Sequence, residues 1–189
     1  MKSGNGIQRA FNYSDLFLNS FFSIGSGYLH NSTEHLIIFI YSGELVILES
    51  GQEISVKSGE SVFIRKDMPV KLYKKNDQEE MFQGIIMGFS RPFLSECYKN
   101  VRKKQILSYG GKLECGIVRL PKTPYIQSLH VSMIPYFQWG VKPSGKILEL
   151  KLREGIYCLL LLDNRFFTCL FDFMNPWGLS LISIPCHKN

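Results

Sequence analysis

The chain has 189 residues, 45% hydrophobic and 20% charged, which allows one buried core, with or without an appendage, and excludes disorder over most of its length. Its net charge of +6 and pI near 9.0 permit an acidic or nucleic-acid partner. The excess lies largely in two runs, Lys71–Lys75 and Lys99–Lys104, each of which also reads as a solvated face.

In chain order, the first apolar stretch, "FLNSFFSIG" (17–25), is too short and too interrupted by Asn and Ser for a signal peptide, and no positive segment adjoins it. No apolar run approaches the roughly 20 residues that a membrane helix needs. The five cysteines, Cys97, Cys115, Cys158, Cys169 and Cys186, are scattered and include no C-x-x-C pair. That argues against a disulfide framework or a structural zinc site and points to a reducing, cytoplasmic setting.

From Tyr28 to about Phe89 the chain reads as strands between glycine and polar turns. "HLIIFIY" (35–41) stops at Ser42-Gly43, "ELVILE" (44–49) at Ser50-Gly51 and "EISVK" (53–57) at Ser58-Gly59. "SVFIR" (61–65), "VKLYKK" (70–75) and "MFQGIIMGF" (81–89) continue the series. Short strands repeating about every 8–12 residues predict an antiparallel sandwich or barrel, and the lack of intervening helical segments argues against parallel βαβ units.

After Leu120 the period changes. Thr123 is a candidate N-cap with Pro124 at the first helical position, and Tyr125, Ile126, Leu129, Met133 and Phe137 recur at helical spacing. Pro135 lacks a backbone donor and should kink or end this 123–139 helix. His130 within it reads as a helix-surface or interface residue. A second helix is expected from near Pro143 to about Leu162, and "NRFFTCLFDF" as a third, stopped by Asn175-Pro176.

The second helix carries two apolar stripes. Leu148, Leu152, Ile156, Leu159 and Leu160 form one; Ile147, Leu150, Tyr157 and Leu161 form the other, bordered by Glu149, Arg153 and Lys151. Either the 123–139 helix covers the second stripe within the monomer, or two copies pack there about a two-fold axis, with Ile147, Leu150, Glu154, Tyr157 and Leu161 as the interface.

Taken together, the strand block from Glu34 to Leu72 and the helix block "LKLREGIYCLLLLDNRFFTCLFDFMNPW" (150–177) resemble the N-terminal regulatory domain of AraC-type transcriptional regulators, in the ExsA-like branch. The first block alone marks a cupin barrel in general; the second is more specific. The resemblance implies an α+β, mainly β, fold: a cupin-like antiparallel β-barrel or jelly roll followed by a C-terminal helical dimerisation unit. It implies a homodimer and control by a small apolar ligand or a protein partner. The corresponding division is a barrel over 1–118, a helical unit over 119–176 and a tail over 177–189 that departs from the family. After Trp177 nothing remains to form paired helix-turn-helix motifs, so direct DNA binding by this chain is not expected. An interrupted regulator gene or an isolated sensor would each account for that ending.

Metal-binding cupins place His-x-His, then Glu four residues later, before the first glycine turn, and a last His at the end of the motif represented here by Gly59 to Val70. Here those positions fall at His30, Ser32, Leu36 and Val70, and one imidazole cannot hold an open-site ion. His35 has suitable chemistry, but strand alternation puts it on the face opposite Leu36. No nucleophile elbow, phosphate loop or H-E-x-x-H appears, and Gly25-Ser-Gly27 is turn chemistry, so neither a catalytic residue, a metal nor a cofactor is expected. Leu36, Ile38, Ile40, Val70 and Leu72 should point inward, where they either close into a packed core or line a cavity for an apolar ligand. Two alternatives from other classes are a small cupin enzyme with an atypical metal site and a standalone module docking a partner on Lys99–Lys104.

Overall fold

The structure, a computed structural model, describes residues 33–75, 82–104, 111, 113–138 and 143–174, together with strand backbone at 11–13, 16–18 and 28–30. The tail 177–189, the Asn175-Pro176 stop, the 25–27 turn and Ser32 lie outside the described residues.

Among the described residues, ten strands form two antiparallel sheets. They are β1 (Phe11–Tyr13), β2 (Leu16–Leu18), β3 (Tyr28–His30), β4 (His35–Ser42), β5 (Glu44–Glu49), β6 (Gln52–Lys57), β7 (Ser61–Ile64), β8 (Val70–Lys75), β9 (Gln83–Phe89) and β10 (Ile117–Leu120). One sheet runs β1-β2-β9-β4-β7-β10 and the other β3-β8-β5-β6. The glycine stops sit where expected: the tight β4–β5 turn puts Gly43 at φ 80°, in the left-handed region that only glycine enters without strain.

Strand alternation gives the six-stranded sheet two buried faces. Leu36, Ile38 and Ile40 of β4, with Val62 and Ile64 of β7, pack against Leu45, Ile47, Val56, Val70 and Leu72 of the smaller sheet. From the other face, Ile37, Phe63, Ile85, Met87 and Phe89 meet a layer of helices. The architecture is therefore sheet on sheet on helices, with two interiors sharing one wall.

The helices are α1 (Arg91–Lys104), α2 (Pro124–Val131), α3 (Ile134–Gln138), α4 (Gly145–Leu162) and α5 (Arg165–Leu170), followed by a 3₁₀ turn at Asp172–Met174. Thr123 caps α2, its side chain accepting from the Ile126 N–H, with Pro124 at the first position. The anticipated 123–139 helix is in fact two: α2 closes at Ser132, and Pro135 falls in the first turn of α3, where its missing N–H costs nothing. Ser144 caps α4 in the same way, accepting from the Ile147 N–H.

One helix was not anticipated. The Lys99–Lys104 run belongs to α1, whose buried Leu94, Cys97, Tyr98 and Val101 follow helical spacing. Arg153 of α4 ties the two helices together, pairing with Glu96 at 2.6 Å and Glu149 at 2.7 Å. Cysteine chemistry also departs from expectation: Cys97, Cys158 and Cys169 are free, but Cys115 is disulfide-bonded.

α4 lies close against the sheet because Gly155 has no side chain. A Cβ there would meet Met87 Cε and Phe89 Cζ, each at 3.2 Å. Gly155→Val is accordingly expected to destabilise the fold by about 1–3 kcal/mol, seen as a lower urea midpoint with an unchanged slope.

Candidate functional site

The five residues expected to point into the strand region do so together. Leu36, Ile38, Ile40, Val70 and Leu72 are all buried in the cluster between the sheets, packed against Phe82 and Ile117 as well as their neighbours. Lys74 follows them on the same face of β8, opposite Leu45, with its ammonium 5.1 Å from the centre of the Phe82 ring. Burial pulls the Lys74 pKa down to about 8. The would-be metal positions Leu36 and Val70 are core residues here, and the side chain of His30 lies outside the described residues. Among the described residues no three His, Cys, Asp or Glu side chains gather into a metal-binding group.

The outer stripe of α4 is exposed. Leu148, Leu152, Ile156, Leu159 and Leu160 are buried against the sheet and helices, whereas Leu150 and Leu161 keep 61% and 66% of their surface exposed. Ile147 and Tyr157 are exposed beside them, and Glu154 pairs with Lys151 at 2.8 Å. The reading in which the 123–139 helix covers this stripe is therefore corrected. α2 does pack on α4, through contacts such as Lys151 Nζ to Ser132 Oγ at 2.7 Å, but along another side.

Both described histidines are buried on the helix side of the large sheet. His35 opens β4 opposite Phe89, as alternation requires, and stacks on Phe63 with ring centres 5.6 Å apart. Its Nδ1 accepts from the Lys66 N–H at 3.2 Å. Desolvation and then the Lys66 cation bring its pKa down to about 4, with a smaller push from Arg65, against the opposing Asp172 carboxylate and a hydrogen bond to the Cys169 backbone. His130 is not the surface or interface residue anticipated. The face of α2 that carries Ile126 and Leu129 also carries His130 against β4, where it stacks on Phe39 at 4.3 Å. Neither ring nitrogen has a hydrogen-bond partner, and burial lowers its pKa to about 4.

A cleft of about 350 Å³ opens at the end of the large sheet where four distant segments meet. His35 and Glu34 come from the start of β4, Lys66 and Asp67 from the β7–β8 turn, and Arg91 and Leu94 from the first turn of α1. Phe173, from the 3₁₀ turn, completes the wall. Lys66 Nζ lies 6.0 Å and the Arg91 guanidinium 5.5 Å from the centre of its ring, and Lys66 also pairs with Asp172 at 2.6 Å.

The model of the ExsA N-terminal regulatory domain matches residues 35–167, spanning the strand block, α1, α2, α4 and the start of α5. The chain belongs to this AraC-type regulatory family. Among solved structures it is similar to ToxT from Vibrio cholerae at 11% identity, with a TM-score of 0.53, covering 80% of this chain and 58% of that one. ToxT bound to (E)-4-(8-methylnaphthalen-1-yl)but-3-enoic acid matches at 11% identity with a TM-score of 0.52, covering 88% and 67%. Unsaturated fatty acid-bound ToxT matches at 11% identity and 0.52, covering 82% and 57%. These likenesses support the mainly β, cupin-like fold. No curated protein matches the sequence.

Two features of this regulatory domain escaped sequence reasoning. The cleft is assembled from residues up to 140 positions apart, which no local pattern marks. The burial of His130, by contrast, was signalled by its place next to Leu129 and four residues after Ile126 on one helical face. On the basic run, Lys99 is exposed on α1; the side chains at 102–104 lie outside the described residues. No described helix is long and apolar enough to cross a membrane.

Proposed function

We propose that the chain is a non-enzymatic regulatory and self-associating domain of an AraC-type regulator, dividing into a strand region over 1–118 and a helical dimerisation unit over 119–176. The observation that carries this reading is the uncovered stripe of Ile147, Leu150, Tyr157 and Leu161 on α4. A helix face about four turns long with apolar side chains in water is the kind of surface that a second copy covers isologously, with Glu154 at its margin. Influence on transcription would then pass through pairing with a second copy or a relative; contact with DNA is no part of the proposal.

Sedimentation velocity tests it. The wild-type chain should associate reversibly as its concentration rises, and Leu150→Glu with Leu161→Glu should hold it monomeric while circular dichroism stays native. A wild type that remains monomeric throughout, or a double variant that associates equally well, would rule out this surface.

For the input signal, the five inward residues are packed with neighbouring apolar side chains, which supports control by a protein partner at the surface. A small apolar ligand among Leu36, Ile38, Ile40, Val70 and Leu72 is the second reading. It is supported by the ToxT complexes with an unsaturated fatty acid and with a naphthalenyl butenoic acid.

A further inference from the structure

The outer stripe of α4 has a spacing of its own. Ile147, Leu150, Glu154, Tyr157 and Leu161 follow one another at intervals of three, four, three and four residues, the repeat of a seam between two packed helices. The row is about 21 Å long, since each residue advances the helix by about 1.5 Å. Its four apolar members are exposed, and its middle position is a carboxylate.

A carboxylate in the middle of an apolar seam decides how a second copy can lie on it. In a parallel pair each residue meets its own copy, so Glu154 would face Glu154, and like charges repel more strongly as water leaves. In an antiparallel pair the uneven spacing matches only where the two-fold axis falls between neighbouring seam positions. An axis between Leu150 and Glu154 sets those two against each other and leaves Leu161 opposite Pro143, which lies before the helix. An axis between Glu154 and Tyr157 sets Leu150 opposite Leu161 and Glu154 opposite Tyr157. Axes nearer either end shorten the overlap. The arrangement centred between 154 and 157 thus joins the two most exposed leucines of α4 and offers the carboxylate a phenol.

Glu154 can take that donor without losing its present one. Lys151 donates to Oε2 at 2.8 Å, and a carboxylate has two oxygens with about four acceptor sites between them. Lys151 is also held by Ser132 Oγ at 2.7 Å, so it stays beside the carboxylate and offsets its charge as the seam closes.

We infer that Glu154 and Tyr157 choose the partner: in an antiparallel α4 pair, each Tyr157 hydroxyl donates to Glu154 of the other copy. This rests on the self-association proposed above and adds its orientation, its register and its selectivity. A helix with an acidic or aliphatic residue opposite Glu154 would cover the carboxylate without supplying a donor. The seam therefore prefers a second copy to such a helix.

The test combines sedimentation equilibrium of the full chain with cross-linking. Tyr157→Phe keeps the ring and removes only the donor, and should weaken association by about 10-fold or more, the scale of a lost hydrogen bond to a charged group. Glu154→Ala should weaken it similarly, and the two together should weaken it little further, since either alone removes both symmetry-related bonds. For the register, Leu150→Cys and Leu161→Cys chains are mixed and mildly oxidised. Their mixed disulfide should form in excess over that of either variant alone, with the wild type as background. Cross-linking of Leu150→Cys to itself would show a parallel pair, and additive effects of Tyr157→Phe and Glu154→Ala would show that the two groups do not meet. Either result overturns the assignment while leaving self-association standing, whereas a wild type that stays monomeric overturns both. The cross-linking comparison leaves Glu154 and Tyr157 intact, so it decides the register even if a variant at those positions fails to fold.

Discussion

Acidification should unfold this domain through two histidines. His35 and His130, each 1% exposed, have pKa values lowered from 6.5 to about 4. Between those values the unfolded chain binds protons that the folded chain refuses. Stability is therefore fully present above about pH 6.5 and falls as pH drops towards 4, by about 3 kcal/mol for each histidine. The sum is comparable to the whole stability of an ordinary domain. His130→Phe isolates the effect. It keeps a ring stacked on Phe39 but removes both unsatisfied nitrogens, so it should raise stability at neutral pH by about 1–3 kcal/mol and make the acid limb of a urea-midpoint against pH curve markedly shallower. A variant curve that superimposes on the wild type below neutrality would show that His130 titrates normally and that its burial is wrong.

The second large effect is expected at Phe63. Its side chain is fully buried on the helix-facing side of the large sheet, stacked with His35 and meeting Phe166 of α5 edge-on at 5.1 Å. β7 also pairs with β4 and β10 at this position, Phe63 lying opposite both Ile37 and Val118. Phe63→Ala thus removes a ring from the junction of three strands and a helix, and should cost about 3–5 kcal/mol in urea denaturation at neutral pH. Phe63→Leu should cost less, because it leaves a smaller cavity. An alanine variant within about 1 kcal/mol of wild type would mean that the helix layer does not rest on the sheet as described.

The parts of this fold that were legible in the sequence are those whose signal is local. Strands β4 to β8 carried alternation bounded by Gly43, Gly51 and Gly59, and their predicted limits agree with the structure to within a residue or so. Thr123-Pro124 marked the start of α2 because capping needs only adjacent residues. α1 was missed even though Leu94, Cys97, Tyr98 and Val101 spell a helical face; the lysines and Arg102 over 99–104 drew attention to charge, and Pro92 sits in its first turn, where proline is tolerated. The fate of the outer α4 stripe was not legible, because two apolar stripes on one helix do not say which neighbour takes the second. The cleft was invisible for a different reason. Its residues are individually ordinary, and only the pairing of β4 with β9, which sets His35 opposite Phe89, brings Glu34 near Arg91 and Phe173.

The shared wall between the two interiors has a mechanical consequence. Along β4, Leu36, Ile38 and Ile40 belong to one compartment, while Ile37, with Phe39 against it, belongs to the other. A close-packed strand of this kind behaves as a diaphragm: it cannot yield on one side without displacing what presses on the other. Swelling or shrinkage between the sheets would tilt β9 beneath Gly155, where α4 has no slack to absorb it, and so re-aim the solvent-facing side of that helix.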